Sequence, residues 1–206
     1  MFFPYVYTRA EIRRLLAATS ANQRFNRCIL DAPTFRTLIL FLYGTGIGIG
    51  DVLRLTTSDI DFTTRTLRIR ASAPYLSRSV PLGTEVADLL VKHLRNRNRQ
   101  VADGCDVVFA SNAGHPLRYA VVCHAFRQLR KLVGIKRANS SYQPRIQDLK
   151  HTFAVHSIAK WIREKRDLGK MVPMLATYMG RIQFDAMDRY LELSPERYLE
   201  QLGRMK

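Results

Sequence analysis

The sequence predicts a mainly helical α+β fold with one small antiparallel sheet, and three observations predict it. Apolar residues recur at helical spacing through most of the chain. That period gives way to strict alternation only around residues 66–83. No Gly/Pro/Ser-rich linker divides the 206 residues, and a hydrophobic fraction of 47% is enough for one real core.

Each element has a local reason. Thr8 and Glu11 have capping-box spacing, and the helix "RAEIRRLLAAT" follows. "DAPTFRTLILFLYG" places Asp31 and Pro33 at cap-like positions and runs apolar to Gly44, which predicts a buried helix. "GDVLRLTTSDI" adds a short helix. "TLRIRAS", Thr66 to Ser72, alternates, and "SRSVPLG", Ser77 to Gly83, alternates again after a turn containing Pro74. In "TEVADLLVKHLRNR" the residues Val86, Leu89, Leu90 and Leu94 form a helical stripe. "DVVFAS" is a short extended piece, and "RYAVVCHAFRQLRKLVGI" is a strong helix. A loop, "KRANSSYQPR", leads into "IQDLKHTFAVH". There Gln147 and Asp148 stand at a helix start, and Val155, Ile158, Ala159 and Ile162 make the apolar stripe. "MVPMLATYMG", "DAMDRYLEL" and "SPERYLEQLGRM" complete the helical set.

Charge narrows the function. Lys and Arg number 33 against 17 Asp and Glu, a net charge of +16. The pI is near 10.3. An excess this large in a folded chain points to a polyanionic partner. No apolar run is long enough to span a bilayer, and "TLILFLYG" is far too short. No helix combines a strong apolar face with a wholly basic one, so a membrane surface is not the expected partner. No signal peptide is visible at the start, and the expected location is the cytoplasm. Cys28, Cys105 and Cys123 are odd in number and widely spaced, as expected of reduced thiols. His151 and His156 are five residues apart on a helix and do not share a face, so no metal site and no cofactor are expected.

Two motifs have plain readings. "GTGIGIG", Gly44 to Gly50, gives GxGxxG in neither register, follows an apolar helix rather than a strand, and is not followed by GK[ST]. It reads as a helix stop and a tight turn. Tyr190 lies in a helix with Phe184, Met187 and Leu191 nearby, a pattern that by itself describes a half-buried core tyrosine. The polar side of "IQDLKHTFAVH" is less easily explained. Gln147, Lys150, His151, His156 and Lys160 gather there, and a solvated face does not require such a set.

In order along the chain, four boxes resemble the catalytic domain of the tyrosine recombinases, the phage-integrase family. "LYGTGIGIGDVLRLTTSDIDF" resembles a TGxRxxE-type turn followed by "L…W.DID". "LRIRASAPYLSRSVPL" resembles the family's β-hairpin, which normally carries a lysine and ends in "R.VPL". "IQDLKHTFAVH" resembles "HDLRHTFA", and "LATYMGRIQFDAMDRYLEL" resembles "LSTYLGH…Y". Neighbouring stretches also look like a transposon-associated branch of that family. The resemblance implies the tyrosine-recombinase catalytic-domain fold over residues 1–206, as a single domain. It begins almost at Met1, so the family's separate N-terminal core-binding domain is expected to be absent.

In that family a tyrosine attacks a DNA phosphodiester, two arginines hold its oxygens, a lysine protonates the leaving oxygen, and two histidine-type residues assist. Carried over by position, the nucleophile falls on Tyr190. The first arginine falls on Gly48, the hairpin lysine on or near Ala73, the first histidine on Gln147, the second arginine on Lys150 and the second histidine on Arg181. The acidic residue of the first box is kept in kind as Asp51. The resemblance therefore implies a DNA-binding protein of recombination or integration whose catalytic set is largely exchanged. It would serve as an accessory subunit or a DNA-binding regulator. The DNA-facing cations it implies are Arg78, Arg145, Lys150, Lys160 and Arg181. Two alternatives stay open: an active recombinase or transposase with a rebuilt site, and an interaction module docking on a catalytic recombinase. The implied partners are duplex DNA and a recombinase subunit, or a second copy of the chain, met through the helix that begins near Ser194.

Overall fold

The computed structural model describes residues 4–22, 30–70, 77–97, 106–137 and 142–180. Helix α1 (Arg9–Asn22) opens with the expected capping box. The Glu11 N–H donates to Thr8 Oγ1 at 3.1 Å, and the Thr8 N–H donates back to Glu11 Oε2 at 2.8 Å. Helix α2 (Ala32–Thr45) is capped by Asp31, which accepts from the Thr34 N–H at 2.6 Å. Pro33 sits in its first turn, where a missing N–H costs nothing. Gly46 ends the helix in the left-handed conformation, φ 62°, and its N–H donates to Leu42 O at 2.9 Å. A Cβ there would also collide with the Phe153 ring.

The one-turn helix α3 (Ile49–Val52) and a 3-10 turn (Thr57–Asp59) lead into the sheet. Its strands are β1 (Ile60–Asp61), β2 (Thr66–Ile69) and β3 (Arg78–Pro81), antiparallel in the order β1-β2-β3. Leu67 pairs with Val80, and Leu67, Ile69 and Val80 face the core while Arg68 and Ser79 face out. The two alternating strands were legible in the sequence. The two-residue β1 was not, because it is too short to alternate. "DVVFAS" forms no strand; it bends at Val108 and Phe109, and two isolated bridges tie it down, Thr56 to Val107 and Ala110 to Pro116.

The remaining helices are α4 (Thr84–Arg97), α5 (Tyr119–Leu132), α6 (Asp148–Arg163) and α7 (Leu168–Tyr178). Apolar α2 is central and packs on α1, α4 and α6, while α5 covers α1 and α7 covers α6. Val155, Ile158 and Ala159 are buried as the stripe predicted. The opposite side of α6 is less open than its polar sequence suggests: Gln147, Lys150, His151 and His156 are all half-buried. His156 packs edge-on against Tyr43, whose hydroxyl lies 2.9 Å from its Nδ1.

Replacing Gly46 by alanine combines left-handed strain with a clash against Phe153, so it should cost about 2–4 kcal/mol, read as a lower urea midpoint. A pH effect follows from His93, which is buried, stacks on Phe109 and lies 3.0 Å from Val108 O through Nε2. Burial pushes its pKa below the ordinary value; the Val108 carbonyl and Asp31 oppose the shift, and Arg97 adds to it. The unfolded chain therefore takes up the proton first. The contribution is complete above the unfolded pKa of about 6.5 and is lost as pH falls below it. The melting temperature should be lower at about pH 5.5 than at about pH 7.5, and His93→Gln should shrink that difference.

Candidate functional site

The site is built on the start of α6. Asp148 is fully buried, and its carboxylate organises the preceding loop. Oδ2 accepts from the Arg145 N–H at 2.8 Å, and Oδ1 accepts from the Tyr142 hydroxyl at 3.1 Å. The Arg145 guanidinium stands 3.7 Å from Oδ1 and 4.4 Å from the centre of the Tyr142 ring. Burial raises the Asp148 pKa, while the Arg145 N–H, the Arg145 charge and the Tyr142 hydroxyl oppose that shift. The N-terminal segment braces the same loop. The Tyr7 hydroxyl donates to Arg145 O at 2.9 Å, and the Tyr7 N–H donates to Thr152 Oγ1 at 3.0 Å.

This frame sets Gln147 and Lys150 against the turn that joins α2 to α3. Between them lies a cavity of about 240 Å³, lined by Leu42, Ile47, Gly48, Ile49, Gly50, Ile146, Gln147, Lys150 and His151. It is smaller than the roughly 300–1,000 Å³ usual for small-molecule sites, and it suits one small polar group better than a cofactor. A larger cavity, about 450 Å³, opens on α1, α2 and α4 beside Asp31, His93 and Lys92. It contains none of the candidate catalytic or DNA-facing residues, so size and chemistry point to different places; the chemistry favours the smaller one.

Gly48 and Gln147 thus face one cavity although their sequence positions are far apart. A Cβ added at Gly48 would meet only Asp51 Oδ2, at 3.8 Å, and the backbone there, φ −66°, suits any residue. Asp51 binds Arg54 at 2.7 Å and lies 3.9 Å from the Arg78 guanidinium. Arg78 reaches from β3 to the end of α7, where Nε donates to Tyr178 O at 2.9 Å and Nη2 to Met179 O at 3.5 Å. Lys150 Nζ donates to the same Met179 carbonyl at 3.0 Å. Two cations therefore converge on the carbonyl end of a helix, where the helix dipole favours positive charge. Burial lowers the Arg78 pKa, and Asp51 and Tyr178 offset part of that shift. The Tyr178 phenol, desolvated and stacked on Phe153, is pushed up to about 12.

The other candidates fall in several places. Arg145 is exposed beside the cavity's Ile146 and Gln147. Lys160 is ten residues beyond Lys150 along α6, roughly 15 Å by helical rise, and pairs with Glu164 at 3.8 Å. It stands apart from the cavity. Ala73, Arg181, Tyr190 and the helix from Ser194 lie outside the described residues. A residue that the sequence did not single out joins the site: Tyr119, first residue of α5, accepts from Gln147 Nε2 at 2.6 Å. It is 28 positions away in sequence, and no local pattern marks it. Among the described residues no group of three or more His, Cys, Asp or Glu is placed to hold a metal ion. No described helix is long and apolar enough to cross a membrane.

Comparison with known proteins bears on this arrangement. The profile of the "Phage integrase family" matches residues 6–163. The chain is 30% identical over 206 residues to a putative integrase/recombinase, y4rB, of Sinorhizobium fredii, covering 98% of this chain and 66% of that protein. It is 28% identical over 202 residues to a tyrosine recombinase of Thermosipho africanus, covering 98% of this chain and 62% of that protein. The chain thus spans somewhat under two thirds of the length of these curated relatives. Among solved structures, XerA recombinase superposes with a TM-score of 0.70 at 20% identity, over 100% of this chain and 65% of the other. XerH recombinase bound to palindromic difH substrate gives 0.71 at 18% identity, over 98% and 53%. At these identities the superpositions speak for the fold, the mainly helical tyrosine-recombinase catalytic domain with its three-stranded sheet.

The geometry makes Asp148 the pin of the site. Asp148→Ala leaves the Arg145 N–H and the Tyr142 hydroxyl without their acceptor, at a cost of about 2–4 kcal/mol. Asp148→Asn, which keeps an acceptor oxygen, should cost less. Urea denaturation of the two variants beside wild type checks that order.

Proposed function

The chain belongs to the phage integrase family, and from that premise we propose that it binds duplex DNA in recombination or integration without cleaving it efficiently. The observation that carries the reading is the cavity between Gly48 and Lys150. At the position that aligns with the family's first arginine, Gly48 brings no donor. Gln147 brings an amide that cannot take up a proton near neutral pH. Lys150 brings a point charge where a planar fork is expected. Transition-state charge on a phosphate needs several fixed donors, and each one lost costs ~10²–10³ in rate. The loss at Gly48 and Ala73 together is on the order of 10⁴ or more, even allowing for non-additivity. Charge on the phosphates, by contrast, needs only cations, and the chain's net charge of +16 supplies them.

In this reading the whole chain is one catalytic-type domain acting in the cytoplasm, on the nucleoid when DNA-bound. It works as an accessory subunit or regulator, and the helix from Ser194 meets a neighbouring subunit. Arg78, Arg145 and Lys150 face the DNA near the cavity, Lys160 extends the basic surface along α6, and Arg181 is a further DNA-facing cation. A second reading, an active enzyme with a rebuilt site, draws support from Arg78 and Lys150. Both converge on the Met179 carbonyl close to the cavity.

Binding to duplex DNA should weaken steeply with salt, each neutralised phosphate adding about −0.9 to the slope of log K against log salt. A slope near zero sinks the DNA-binding reading. On a nicked suicide substrate, wild type and Tyr190→Phe should look alike on a denaturing gel, with no covalent band. A band present in wild type and absent in Tyr190→Phe favours the second reading. Gly48→Arg should fold, because a Cβ there makes only an ordinary contact, 3.8 Å to Asp51 Oδ2. It should tighten DNA binding roughly tenfold through one added charge-assisted contact, measured by fluorescence anisotropy.

A further inference from the structure

We infer that Tyr119 is a DNA-phosphate contact of this site and that Gln147 positions it. The inference rests on the DNA-binding reading above and adds a residue to it. Three observations carry it. Gln147, which lines the cavity beside Gly48 and Lys150, donates Nε2 to the Tyr119 hydroxyl oxygen at 2.6 Å. Tyr119 is a large aromatic residue that remains 45% exposed, at a place where Arg145 is also exposed. The direction of the bond is the third. An amide nitrogen only donates, so the phenol oxygen must accept from it, and the phenolic proton is left for another acceptor.

Gln147 is the hydrogen-bond partner of this phenol, and Cys123, one turn further along α5, is a neighbour. A thiol sulfur is a weak acceptor, whereas a phosphate oxygen forms a short, charge-assisted bond. A DNA phosphate entering at the cavity's rim is therefore the better acceptor for the phenolic proton. Burial raises the Tyr119 pKa, the nearby Cys123 adds to the shift, and Arg145 opposes it. The phenol therefore keeps its proton near neutral pH and acts as a donor. Gln147 cannot exchange protons as a histidine does, but through Tyr119 it still presents an oriented O–H at the cavity. The contact is neutral on the protein side, and that gives it a signature of its own: it adds affinity without displacing a counterion.

The test uses the full chain, a short mixed-sequence duplex carrying a fluorophore, and anisotropy titrations over a range of salt. Tyr119→Phe should weaken binding roughly tenfold at every salt concentration, with the salt slope and the melting temperature unchanged. Lys150→Gln, as comparator, should lower the magnitude of the slope by about 0.9. Gln147→Leu should weaken binding less than Tyr119→Phe, and the double variant should bind no worse than Tyr119→Phe alone. That non-additivity separates a positioning role from an independent contact. Equal affinity of Tyr119→Phe and wild type overturns the inference while leaving DNA binding intact. A changed slope for Tyr119→Phe also overturns it, because the loss then belongs to a displaced cation. Failure of the wild type to bind sinks the DNA-binding reading itself, and the inference with it.

Discussion

The buried carboxylate of Asp148 is the constraint on which the rest of the site depends. It has no exposure to water, so it must be satisfied from within. Its acceptors fix the loop before α6 at two places, the Arg145 N–H and the Tyr142 hydroxyl. The opposite face of that loop is held by Tyr7, which donates to Arg145 O. Thr152 closes the circuit: it accepts from the Tyr7 N–H and donates to Asp148 O at 2.8 Å. Five residues from three parts of the chain thus hold one helix start. Gln147 and Lys150 inherit their positions from it, one immediately before the pin and the other half a turn after. Removing any member leaves a buried group without its partner, which is why the network is stiff.

The second organising feature is a meeting of charge and helix end. Arg78 comes from the sheet and Lys150 from α6, yet both donate to the last carbonyls of α7. Those carbonyls lack intrahelical donors and carry the negative end of the dipole. The arrangement ties three elements, β3, α6 and α7, together beside the cavity that Lys150 lines. It also keeps two cations ordered close together. A phosphate oxygen is a stronger acceptor than a carbonyl, and the proposed DNA-binding role would draw these two cations from the carbonyl to a phosphate. Holding positive charge on a helix end is a low-cost way to store it where solvent is scarce.

The parts of this structure that were legible in the sequence are those whose physics is local. The Thr8–Glu11 box, the Asp31 cap and the left-handed Gly46 are each decided within a few residues, and each formed as the sequence implied. The α6 stripe was legible because burial imposes a period on consecutive turns. Strand β1 was not, since two residues carry no period. The site divides in the same way. Gln147 and Lys150 stood out because they share one short stretch with a recognisable pattern. The bond from Gln147 to Tyr119 spans 28 positions, that from Lys150 to Met179 spans 29, and that from Arg78 to Tyr178 spans 100. Contacts at those separations are products of packing, and no spacing rule encodes them.

Two nearby glycines show how a fold and its chemistry come apart. Gly46 is required: its φ of 62° belongs to the left-handed region, and Phe153 occupies the space a side chain would need. Gly48 is not required by either criterion. Its backbone is ordinary, φ −66° and ψ 139°, and a Cβ there would make only an ordinary contact with Asp51 Oδ2, at 3.8 Å. Nothing in the folding of the α2–α3 turn therefore depends on the absence of a side chain at Gly48. The frame that would support one remains, since Asp51 still anchors Arg54 and stands near Arg78. Backbone geometry, the acidic residue and the cavity are all compatible with a long cation at this position. On the reading proposed above, a chain can keep its core, caps and basic surface with no side-chain donor at this position. Binding needs only the surface, and cleavage needs the donor as well.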